Sequence, residues 1–95
     1  MYSVVRHYTN AAALGAALVK FEPEVHQLLS TVPGFVSYAA MPQNADVTTI
    51  TMCQDRSGTE ESSRRASGWV AEHLPSESNL KPEITEGKTF IQFAE

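Results

Sequence analysis

The residues best suited to chemistry on a small molecule cluster at the start of the chain and recur further along it. His7 is the candidate general base, because an imidazole titrates near neutrality and can take a proton from a phenolic substrate. Tyr8 and Tyr38 supply hydroxyls that can hydrogen-bond a substrate oxygen. Arg6 precedes His7 on the same run; a guanidinium on a central strand demands either an acid partner or a ligand anion. Trp69 could stack on an aromatic ligand, and His73, one helical turn on, could line the same cavity. Each has a plainer reading: a packed or interface histidine, a core tyrosine with a wet hydroxyl, a tryptophan anchoring a helix.

Other chemistries find little support. Cys53 is the single cysteine, so no internal disulfide can form, and it reads as a buried inert thiol. His7, His26 and His73 are dispersed and no C-x-x-C occurs, so no metal site is expected. The chain holds neither a Gly-rich phosphate loop nor a G-x-S-x-G elbow. No cofactor is expected.

Eleven acidic against seven basic side chains give a net charge of −4. That balance, with the basic residues scattered, argues against nucleic-acid backbones and anionic membranes, which need a basic face. No apolar stretch approaches the ~20 residues that span a bilayer, and MYSVVRHYT lacks the layout of a secretory signal. A soluble, cytoplasmic protein is the expectation. Ninety-five residues, 1–95, are expected to form one domain.

These residues need elements to hold them. Tyr2 to Thr9 is predicted as a strand, with Asn10 placed to cap the helix after it. Leu14, Leu18, Phe21, Val25, Leu28 and Leu29 keep the spacing of one buried helical face from Ala11 to Val32. Pro23 kinks or breaks it near Phe21–Glu22. Phe35 to Met41 and Val47 to Cys53 read as a hairpin around a polar turn, Pro42 to Asp46. Ser57 and Glu60 have capping-box spacing, with Thr59 a competing cap, for a helix ending near Leu74. On it, Glu60–Arg64 and Glu61–Arg65 are expected to form a solvated face. Lys88 to Ala94 is predicted as the fourth strand. The order, strand–helix–strand twice, is a ferredoxin-like βαββαβ with a four-stranded antiparallel sheet.

The strands are apolar or semi-apolar on both faces. Val5 opposes Val4 and Tyr8; Phe35 and Met41 oppose Val36 and Tyr38; Ile50 and Met52 oppose Val47 and Cys53; Ile91 and Phe93 oppose Phe90. Two helices cover one face only. A second copy is the simplest cover for the other, because a two-fold interface is self-complementary.

The runs PGFVSY (33–38), VTTITMCQD (47–55), EESSRRASGWVAEHLP (60–75) and EITEGKTF (83–90) resemble the dimeric α+β barrel superfamily. Within it the chain is most similar to the antibiotic-biosynthesis-monooxygenase-like group, especially its small bacterial members. The resemblance implies a homodimer in which two sheets close a barrel, each protomer keeping a cavity between sheet and helices. Some members oxygenate aromatic polyketides without metal or flavin. It therefore implies a cofactor-independent monooxygenase-like enzyme acting on a small aromatic or phenolic ligand, with His7, Tyr8, Tyr38 and Trp69 lining the cavity. The alternative is a non-catalytic dimeric module that binds a small ligand or serves structure. Haem-degrading members use a first-strand Asn with a Trp and a more distant His. Asn10 and the Trp69–His73 spacing do not match that pattern, so haem chemistry is not implied.

Overall fold

The computed structural model describes residues 1–77 and 80–94. In chain order the elements are β1 (Tyr2–Tyr8), α1 (Ala12–Lys20), α2 (Glu22–Ser30), β2 (Phe35–Gln43), β3 (Asp46–Cys53), α3 (Arg56–His73), a short 3-10 turn (Pro75–Glu77) and β4 (Glu83–Lys88). The strands form one antiparallel sheet in the order β2-β3-β1-β4. The ferredoxin-like βαββαβ architecture is thus present, with all three helices on one face.

Pro23 breaks the first helical segment rather than bending it. It sits in the first turn of α2, where its missing N–H leaves no bond unmade. Asn10 does not cap α1. It adopts a left-handed conformation (φ 55°) and donates its backbone N–H to Asp46 Oδ1 at 3.1 Å, which ties the end of β1 to the β2–β3 turn. The hairpin turn is also tighter than predicted. β2 runs on through Pro42 to Gln43, and Asn44 takes positive φ in a two-residue connection. Proline is tolerated there because β2 is an edge strand.

Helix α3 starts earlier than the Ser57 reading. Asp55 is its N-cap, accepting from Gly58 N–H at 3.1 Å and from the Ser57 hydroxyl at 2.6 Å; these bonds hold its carboxyl below the usual range. Gly58 permits close docking: a Cβ there would lie 2.8 Å from Cys53 Cβ. Of the two expected charged pairs, Glu61–Arg65 forms and Glu60–Arg64 does not. Glu60 pairs with Arg56, and Glu61 with both Arg64 and Arg65. Arg65 is more than a solvated charge, because it also donates to the Leu28 carbonyl (2.9 Å) and the Thr31 hydroxyl (2.8 Å). It satisfies the C-terminal end of α2 and binds it to α3.

The fourth strand is Glu83–Lys88, not Lys88–Ala94. It pairs with β1 from His7↔Glu83 to Tyr2↔Lys88, and the Thr89 N–H to the Met1 carbonyl is the last rung. Beyond it β1 offers nothing to pair with. The apolar residues that suggested a strand, Phe90, Ile91 and Phe93, are exposed instead.

The core lies between sheet and helices. Ala17, Val25, Leu29 and Trp69 form its centre, with Phe21, Phe35 and Tyr38 packed around them. A bulge between Phe35 and Ser37 puts Phe35 on the helix side with Tyr38, contrary to simple alternation. β3 alternates cleanly: Val47, Thr49, Thr51 and Cys53 are buried under the helices, while Thr48, Ile50 and Met52 face away. No helix among the described residues is long and apolar enough to cross a membrane.

Candidate functional site

Two neighbouring spaces lie on the helix side of the sheet. One is an open apolar cleft of about 480 Å³ between α1, α2 and the edge strand β2. Leu18, Val25, Leu29, Phe35 and Tyr38 form its walls, and Glu22, His26 and Ser37 its polar rim. The other is a much smaller cavity of about 40 Å³, where Arg6, Tyr8, Tyr38, Thr49, Thr51 and Ser62 meet beneath Trp69. Leu18, Val25, Leu29 and Tyr38 belong to both and form the partition between them.

Strand alternation places these polar groups. Val4, Arg6 and Tyr8 share the helix-facing side of β1, and Thr49 and Thr51 stand beside them on β3. Burial pushes the pKa of the Tyr38 hydroxyl up to about 12; neighbouring Tyr8 adds to this, while Arg6 and a hydrogen bond with Thr49 oppose it. Burial likewise raises Tyr8, against the pull of Arg6. At neutral pH both tyrosines are therefore neutral and able to donate.

That shift predicts an alkaline signature. Below pH 10 Tyr38 is protonated in the folded and the unfolded chain, so its contribution to stability is constant. Between pH 10 and 12 the unfolded chain loses the proton and the folded one keeps it. Stability then falls by ~1.4 kcal/mol per pH unit, to a total loss of about 2–3 kcal/mol. Urea midpoints for the wild type should drop between pH 9 and pH 11 by more than those of Tyr38→Phe. Equal drops would show that Tyr38 ionises freely in the folded state.

His7 does not join this cavity. As the odd member of β1 it faces the opposite side of the sheet, with Nε2 3.1 Å from Asp46 Oδ2 and Nδ1 2.9 Å from Thr48 Oγ1. The geometry fits Nε2–H donating to the carboxylate and the Thr48 hydroxyl donating to Nδ1. The expectation that His7 lines the cavity is corrected by the two-residue period of the strand.

Trp69 does line the cavity. Its ring also stacks on His73 (centroids 4.5 Å apart, 21° between planes) and its Nε1–H donates to Glu24 Oε1 at 3.2 Å. His73 reaches Glu24 Oε1 (3.0 Å) and the Trp69 carbonyl (3.1 Å), so it clamps α3 to α2 outside the cavity. Cys53 is fully buried, and burial pushes its thiol up, away from nucleophilic use. Among the described residues no three His, Cys, Asp or Glu side chains gather closely enough to hold a metal ion.

No family model matches the chain, and no curated protein matches it by sequence. Solved structures do. A protein of unknown function from Nitrosomonas europaea, NE2512, aligns with TM-score 0.71 at 14% identity, over 99% of this chain and 93% of its own. SnoaB, a cofactor-independent oxygenase from Streptomyces nogalater solved in a mutant form, aligns with TM-score 0.65 at 14% identity, over 99% and 97%. A dimeric ferredoxin-like protein from an uncultured marine organism aligns with TM-score 0.65 at 9% identity, over 99% and 97%. The likeness shows a shared ferredoxin-like fold.

Within this fold several groups at the two spaces were not foreseen from the sequence. His26 and Glu22 lie four residues apart on α2, one above the other at the cleft rim. That spacing was legible, but nothing local says which way α2 turns. Ser62, Ser63, Thr49 and Thr51 form a polar seam through the core, and a Thr-rich strand alone does not disclose it.

Proposed function

We propose that the chain is a cofactor-independent monooxygenase-like enzyme, working as a homodimer on a small aromatic or phenolic compound held in the cleft beside β2. The observation that carries this reading is an apolar cleft of ring-admitting size backed by two neutral tyrosine hydroxyls. The fold shared with a cofactor-independent oxygenase supports it. An electron-rich phenolate reduces oxygen without help, so the protein need only remove a proton, orient the ring and exclude water. His26 at the rim is the group placed to take the proton, and Tyr38 donates to the resulting oxyanion. In the balanced reaction a phenol and O₂ give a quinone and water: one oxygen atom becomes the new carbonyl and the other leaves with two hydrogens from the ring and hydroxyl.

The test is oxygen uptake with quinol and naphthol substrates. His26→Gln is expected to lower the turnover number about 100-fold, the ordinary worth of a positioned base. His7→Ala, on the far side of the sheet, should leave the chemical step within threefold of wild type. Absence of uptake with every such substrate, or an abolishing effect of His7→Ala, sinks the reading and favours a non-catalytic binding module.

A further inference from the structure

Arg6 is anomalous among the charges of this protein. It is 5% exposed, yet its guanidinium is held by neutral hydroxyls: Nη1 donates to Thr51 Oγ1 at 3.2 Å and Nη2 donates to Ser63 Oγ. Among the described residues no carboxylate forms an ion pair with it. The more exposed arginines do have acids: Arg56 pairs with Glu60, and Arg64 and Arg65 with Glu61. The three more exposed arginines thus have acid partners, while the buried one faces hydroxyls. A buried charge is tolerated at such a cost only when something compensates it.

None of the described groups lining the cavity does so. Tyr8 and Tyr38 are neutral at ordinary pH. Ser63 gives its own proton to the Thr59 carbonyl, so towards Arg6 it only accepts. A second copy on the opposite face of the sheet is separated from Arg6 by the sheet itself.

We infer that the small cavity is an anion subsite, in which Arg6 receives the carboxylate of an aromatic acid whose ring lies in the neighbouring cleft. This rests on the reading that the cleft holds an aromatic guest, and adds the charge that guest carries. The sizes agree. One water needs ~10–15 Å³ of cavity space, so about 40 Å³ is enough for a carboxylate-sized head and too small for a ring. The cleft of about 480 Å³ takes the ring. Leu18 and Tyr38, both only partly buried, are the members of the partition that must move aside for the head to pass. Hydroxyls of Thr49, Thr51 and Ser62 complete a polar lining around the charge.

The test compares two probes of nearly equal shape, 1-naphthoate and the neutral 1-naphthylmethanol, titrated against the protein by calorimetry and by Trp69 fluorescence. Wild type is expected to bind naphthoate at least tenfold more tightly. Arg6→Met should erase that preference while leaving naphthylmethanol affinity within threefold. Arg6→Gln, polar but uncharged, should behave the same way and serves if the methionine variant does not fold. Equal affinities in wild type, binding of neither probe at millimolar concentration, or a preference that survives loss of the charge overturns the inference. The readout is binding, so it separates from the oxygenase proposal. Naphthoate preference without oxygen uptake leaves the subsite standing and removes the enzyme. Uptake with neutral naphthols but no acid preference does the reverse.

Discussion

Trp69→Ala is expected to destabilise the protein by about 4 kcal/mol, within the range for truncating a buried tryptophan. The indole is 6% exposed and touches every helical element. It packs with Ala17 of α1 and with Val25 and Leu29 of α2, and meets the Phe21 ring edge-on at 6.1 Å. It also donates to Glu24 and stacks on His73. Small domains have only ~5–15 kcal/mol in total, so the variant should sit near its unfolding transition at 37 °C. Urea or guanidinium melts give the number. Trp69→Phe retains a ring against the same neighbours and loses only the indole hydrogen bond and some volume, so about 1–2 kcal/mol is expected. The pair of variants also decides between two roles. A loss below 1 kcal/mol for Trp69→Ala would mean that the indole is held out for a ligand rather than for the core.

The sequence disclosed what depends on local chemistry and hid what depends on register. Pro23 announced the α1–α2 break because a proline inside a helix has few other outcomes. The alternation of Val47 to Cys53 announced β3 and its two faces correctly. The odd placement of Arg6 was visible too, since an arginine amid Val4, Val5 and Tyr8 is rarely accidental. The Phe35/Ser37 bulge was not visible, because one extra residue leaves no signature in composition, yet it moves Phe35 to the other face. Charge misled the fourth strand. Glu83 and Glu86 fell before the predicted strand, which began at Lys88, but polar residues are what an exposed edge strand carries. His7 faces away from the cleft and His26 stands at its rim for a related reason: each direction depends on which face of its element meets the cleft, and packing decides that.

The second large effect concerns the face turned away from the helices. Ile50 sits at its middle, paired with Val5 on β1 and Ala39 on β2, with Met52 and Met41 nearby on the same side. The exposed tail adds Phe90, Ile91 and Phe93, which are 91%, 68% and 89% exposed in a single chain. Phe90 and Ile91 lie beside Val5 on this side of the sheet. In the proposed homodimer a second copy would cover this face with one self-matching contact. Ile50→Asp places two unpaired carboxylates, one from each copy, near the centre of that contact. A charge buried without a partner costs ~3–5 kcal/mol, so even one of the two raises the dimer dissociation constant by about 1000-fold, and both together raise it further. Sedimentation equilibrium at micromolar concentration is expected to give twice the chain mass of 10.4 kDa for wild type and the single mass for Ile50→Asp. Ala71→Asp, exposed on α3 behind the sheet, should remain dimeric. Because Arg6 and the cleft lie on the helix side, Ile50→Asp should keep its naphthoate preference; a preference lost with the dimer would mean that the partner helps shape the site.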